Sequence, residues 1–142
     1  MENKKVLKLI DEVSEVLSLL IELRTKGRFR EALEKVDETL LNYFKFDTEF
    51  IYSVSEDFLV NVFKEDRGLS SEQMVSLAEI LNEKGDILLE QNNLRECQKV
   101  LKNTLKIYYF LSEDQDFFSF KNMNKMVLIN DKLSKINVKI EN

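Results

Sequence analysis

The chain has 142 residues, with 26 acids against 21 bases for a net charge of −5, no histidine, no proline, one cysteine and three glycines. One typical domain of this length buries roughly 68% of the surface its unfolded form exposes, and the scarcity of the two residues that interrupt helices and mark β-turns predicts an all-α fold. The acidic balance argues against a phosphate-binding protein, the missing histidine removes the commonest general base and transition-metal ligand, and one cysteine excludes both an internal disulfide and a structural zinc site.

At the N-terminus a basic start is followed by periodic apolar residues whose longest unbroken run is Leu19 to Ile21. A secretory leader needs roughly 7 to 15 apolar residues and a membrane span about 20, so the chain reads as cytoplasmic. Val6, Leu9, Ile10, Val13, Val16, Leu17, Leu20 and Leu23 make one helical stripe over residues 3 to 26, and Gly27 stands where a left-handed cap would end it. A second helix follows at once, with Phe29, Leu33, Val36, Leu40 and Tyr43 inward, so residues 3–46 form an αα-hairpin.

The middle block, residues 47–66, is predicted as short helical segments capped by Asp47 or Thr48 and by Ser55. Its Phe46, Phe50, Ile51, Phe58, Leu59, Val62 and Phe63 are too many for one stripe, which places the block between neighbours. Gly68 is a break, and Ser70 with Gln73 forms a capping box that opens a second hairpin at 71–111, turning at Asn92-Asn93. Ser112 with Gln115 repeats the box pattern ahead of a final helix over 117–140 carrying Phe120, Met123, Met126, Ile129, Leu133, Ile136 and Ile140 at spacings of three and four.

The two hairpins align without gaps at an offset of 65 residues, Gly27 on Asn92, Phe29 on Leu94, Ala32 on Cys97, Val36 on Leu101, Thr39 on Thr104 and Leu40 on Leu105. This pattern resembles the tetratricopeptide repeat, a helix-turn-helix unit of about 34 residues. Over 78–111 the resemblance falls on Leu81, Gly85, Leu88, Asn92, Leu94, Cys97, Leu101 and Thr104, with Lys84 departing where an apolar residue is usual. Over 13–46 it falls on Val16, Leu19, Leu23, Gly27, Phe29, Ala32, Val36 and Thr39, with Leu20 departing where a small residue is usual. In such repeats the Gly85 and Cys97 positions face each other, so the helix axes approach closely and Cys97 is a buried hydrophobe rather than a nucleophile. The order of hairpin, middle block, hairpin and closing helix is also similar to a family of small bacterial proteins known only as a domain of unknown function, which implies no activity, cofactor or site residue.

No catalytic constellation, metal site or cofactor motif emerges. The three glycines are isolated, which excludes a Gly-rich phosphate loop, and Asp11, Glu12 and Glu15, like Glu79, Glu83 and Asp86, share helical faces in the manner of solvated acids. Residues 121–142 carry Lys121, Lys125, Lys132, Lys135 and Lys139 against Asp131 and Glu141, a net of +3. Without interleaved arginines and aromatics this is a weak nucleic-acid signal.

The expectation is therefore a single all-α domain of tetratricopeptide-like hairpins with a C-terminal capping helix, working as a non-catalytic protein-interaction module. By the resemblance, the first helix of each repeat lines a groove, with Leu17, Ile21 and Arg24 from one unit and Asn82, Asp86 and Leu89 from the other contacting a peptide or partner helix. The alternatives are that the chain's own helices fill this groove, or that the protein is a structural homo-oligomer joined through the aromatic runs around Tyr109 and Phe117.

Overall fold

The computed structural model describes residues 2–45, 47–53, 59–66, 68–113 and 119–141, and no strand occurs among them. Helices α1 (Glu2–Thr25) and α2 (Phe29–Phe44) form the first hairpin, and α5 (Ser71–Glu90) and α6 (Leu94–Glu113) the second. Between them lie α3 (Thr48–Ser53) and α4 (Leu59–Asn61), the latter running into a π-helical turn at Val62–Asp66; α7 (Phe120–Glu141) closes the chain. No helix among the described residues is long and apolar enough to cross a membrane.

The two hairpin turns are built alike, 65 residues apart. Gly27 and Asn92 both adopt left-handed backbone, at φ +75° and +62°. The next amide in each case reaches back across the helix end, Arg28 N–H to the Leu23 carbonyl at 2.8 Å and Asn93 N–H to the Leu88 carbonyl at 2.9 Å. This is the Schellman closure, which satisfies carbonyls that a helix end leaves unpaired. The match continues into the second helix of each pair: Thr39 donates its hydroxyl to the Lys35 carbonyl and Thr104 donates to the Val100 carbonyl, both at 2.7 Å. Ala32 and Cys97, two turns earlier, are both fully buried.

Among the register positions at which the hairpins differ, one bears on how closely the helices approach. Leu20 of α1 is fully buried where α5 has Gly85, and the α5–α6 contact is the more extensive of the two. Small residues let helix axes approach. The Cys97 thiol donates to the Gly85 carbonyl at 3.2 Å, but the space a Gly85 side chain would need is filled by Leu101, one turn further along α6.

Helix α5 is the centre of the molecule, packing on α1, α2 and α6, with only Glu72 and Glu90 exposed along its length. Its start is the predicted capping box: Ser70 Oγ accepts from Gln73 N–H at 3.2 Å, and Gln73 Oε1 accepts from Ser70 N–H at 2.8 Å. The middle block rests on α6 through α4, with Leu59 and Phe63 fully buried and the Lys64 ammonium 5.1 Å from the Phe110 ring centroid. Asp47 caps α3 by accepting from Phe50 N–H at 2.8 Å. The expected cap at Ser55 and the aromatics Phe46 and Phe58 lie outside the described residues, and so does the side chain of Ile51.

The C-terminal helix departs from expectation in two ways. It begins at Phe120 rather than 117, with Ser119 Oγ accepting from Asn122 N–H at 3.0 Å. Ser112 opens no helix, since it lies inside α6 and donates to the Tyr109 carbonyl at 2.7 Å, while its box partner Gln115 lies outside the described residues. Second, the apolar residues at these spacings do not share one face: Phe120 and Met123 are 80% and 41% exposed, whereas Ile129, Leu133 and Ile136 are buried and Met126 and Ile140 pack beside them. Three successive spacings of three each lag the helical turn by about 60°, so residue 120 emerges on the side opposite residue 129.

Candidate functional site

Beyond its first turn, the half-buried residues of α5 fall on a single line, Val75, Glu79, Asn82, Asp86 and Leu89, at alternating spacings of four and three. Such a line is one face of a helix, here only partly covered by the neighbouring helices. Helix α1 borders it with half-buried Leu17, Ile21 at 47% exposure and Arg24. Helix α7 borders it with lysines: Lys125 lies 3.8 Å from Glu79 and Lys132 lies 2.5 Å from Asp86. Both pairs advance by seven residues on each helix, so α5 and α7 run in the same direction.

A network of charges ties the three helices together. Arg24 Nε donates to Glu83 Oε1 at 2.6 Å and Arg24 Nη1 donates to Glu90 Oε1 at 2.9 Å. Burial works against the charge on Arg24, but the hydrogen bonds to Glu83 and Glu90 outweigh it and hold the guanidinium above its ordinary value. Glu83 is almost fully buried, and that burial raises its carboxyl against the opposing pull of Arg24. Asp86 contributes to the field at both groups, and Lys132 to that at Glu83.

Each residue expected to contact a partner can now be placed. Leu17 packs partly against the core, and Ile21 projects outward. Arg24 and Asp86 are both engaged within the chain, by Glu83 and Glu90 and by Lys132. Asn82 turns its carbonyl oxygen inward, buried and without a hydrogen-bond partner among the described residues, as is the Tyr108 hydroxyl. Leu89 is half-buried and lines a cleft of about 300 Å³ with Glu90, Lys132, Lys135, Ile136 and Lys139.

One expectation about charge is corrected. Glu79, Glu83 and Asp86 are not a solvated face, because each meets a cation from α1 or α7. Of the five α7 lysines, Lys125 and Lys132 are engaged by α5 acids and Lys135 meets Asp131 of its own helix at 3.2 Å. A matching spacing of seven on the two helices was the signal available in the sequence. By contrast, Asp11 and Glu15 are exposed, as expected of a solvated face.

Cys97 is buried, and burial pushes its thiol up to about 11, which keeps it in the unreactive protonated form. Among the described residues, no group of three or more His, Cys, Asp or Glu side chains could hold a metal ion. Comparison of the chain with protein families, with characterised proteins and with solved structures gives no match.

Proposed function

We propose that the two hairpins are tetratricopeptide-like units and that the face carried by α1, α5 and α7 is a docking groove for a peptide or partner helix, making the protein a non-catalytic interaction module. The observation supporting this reading is the α5 line: five half-buried residues, apolar at both ends, only partly covered on a helix that is otherwise mostly enclosed. A partner laid along it would bury Leu17, Ile21 and Leu89 for affinity. Two of the polar groups at its centre, Glu79 and Asp86, already held by Lys125 and Lys132, would present a fixed pattern for orientation.

The test is affinity capture with the wild-type chain against Ile21→Glu and Leu89→Glu, with circular dichroism confirming the fold. Ile21 is exposed enough for a charge to leave folding intact. A partner retained by the wild type and lost by both variants supports the groove, whereas identical capture by all three removes it.

A second reading, self-association, draws on Tyr109, 45% exposed, and on Phe120, Val127 and Val138 along the outer side of α7. Phe117, the other aromatic considered for this role, lies outside the described residues. Light scattering over a hundredfold concentration range separates the two readings. A persistent dimer that becomes monomeric on Tyr109→Asp or Val127→Asp favours self-association, and a monomer throughout favours the groove.

A further inference from the structure

Lys135 and Lys139, one turn apart on α7, form a ridge with an apolar hollow on either side. On one side lies the cleft floored by Leu89 and Ile136, and on the other a shallow hollow against Val138, which is 57% exposed. The same two lysines border both hollows.

The charge around this ridge is unevenly satisfied. Glu90, the one acid lining the cleft, is held by Arg24 at 2.9 Å, and Lys132 is taken by Asp86. Lys135 meets Asp131 across an exposed pair, a weak contact that is readily exchanged. Lys139 has no ion-pair partner among the described residues. The chain as a whole carries −5. At physiological salt, screening over about 8 Å lets this local positive charge decide what approaches the ridge.

We propose that the ridge binds an acidic segment of a partner protein in which apolar side chains flank one or two carboxylates. One apolar side chain enters the Leu89–Ile136 cleft, the second lies against Val138, and the carboxylates meet Lys135 and Lys139. Charge-assisted contacts of this kind set register and on-rate, while the two hollows supply the apolar burial. The assignment rests on the groove reading above and names the chemistry of its occupant at the α7 end.

A display library of random twelve-residue peptides, selected on the full chain, tests it. The expected result is enrichment of aspartate or glutamate between apolar residues. The affinity of a selected peptide should fall about tenfold or more in Lys135→Glu/Lys139→Glu, with the fold unchanged, and should weaken as salt is raised. The proposal is overturned if no motif emerges, if the motif is uncharged or basic, or if binding survives the double charge reversal. Ile21→Glu keeps the two readings apart. Peptides of other chemistry lost on Ile21→Glu retain the groove and remove the acidic occupant, whereas an acidic motif indifferent to Ile21→Glu retains the ridge and counts against the α1 end of the groove.

Discussion

A Cβ placed on Gly85 of α5 would lie 2.5 Å from Leu101 Cδ2 and 3.0 Å from Leu101 Cγ on α6. Neither atom is the end of a long, freely moving side chain, since Leu101 is fully buried. The glycine is therefore present for the approach of two helices, and its helical backbone needs no left-handed conformation.

Gly85→Ala is accordingly expected to destabilise the protein by about 1–2 kcal/mol, overpacking outweighing the roughly 1 kcal/mol that alanine gains in helix propensity. Leu101→Val in the same chain should recover part of that loss. Urea denaturation of the two single variants and the double variant measures the coupling, and strict additivity would contradict the proposed contact.

Arg24→Ala should cost about 3 kcal/mol at neutral pH, because it leaves the buried Glu83 carboxylate without its cation. Adding Glu83→Gln should restore much of that stability by removing the stranded charge. The pH dependence has a definite sign: burial raises the Glu83 carboxyl in the fold, so its contribution is present below the unfolded value and lost as pH rises through the folded one. Removing Arg24 enlarges that loss. Denaturation midpoints of Arg24→Ala should therefore fall, relative to wild type, between pH 4 and pH 7, and the Glu83→Gln background should abolish the difference.

Cys97 gives the alkaline limb. Its thiol titrates at about 11 in the fold against an ordinary value of 9.0, so over that interval the unfolded chain has released a proton that the folded chain retains. Stability must then decline as pH rises from about 9 to about 11, by on the order of 2–3 kcal/mol from this group. Burial raises Tyr108 as well and acts in the same direction, while burial lowers Lys84 and acts in the opposite one. Comparing the slopes of wild type and Cys97→Ala isolates the thiol, and equal slopes would refute the assignment.

The two turns offer a matched pair. Gly27→Ala should destabilise by about 1 kcal/mol, since a Cβ at φ +75° is strained although nothing lies within 4 Å of it. Asn92→Gly, at φ +62°, should be neutral or slightly stabilising. Thermal unfolding of both variants gives the comparison directly.

Much of this architecture could be read from the chain because it is local. The Gly27–Asn92 correspondence, the Ser70–Gln73 box and the inward positions Val36 and Leu101 follow from the spacing of residues within one or two helical turns. The site was harder to read. Arg24, Glu83, Asp86 and Lys132 come from three helices, and periodicity assigns a residue to a face of its own helix without saying which other helix will cover that face. Thus Glu83 and Asp86 share a face with Glu79, as expected, yet that face meets Arg24 and the α7 lysines instead of water. Phe120 and Met123 show the opposite case, in which accumulated spacings of three rotate apolar residues out of the buried stripe.

The central position of α5 also orders how the molecule should come apart. Held by α1, α2 and α6, it can lose its backbone protection only when most of the fold is lost, so its amide protons should exchange most slowly. Helix α7 rests mainly on α6, with lysine contacts reaching α5, and leaves Phe120 and Met123 unburied at its start. A steady pull on the two ends of the chain should peel α7 away in an early, low-force step, then rupture α5 with its neighbours in one larger event.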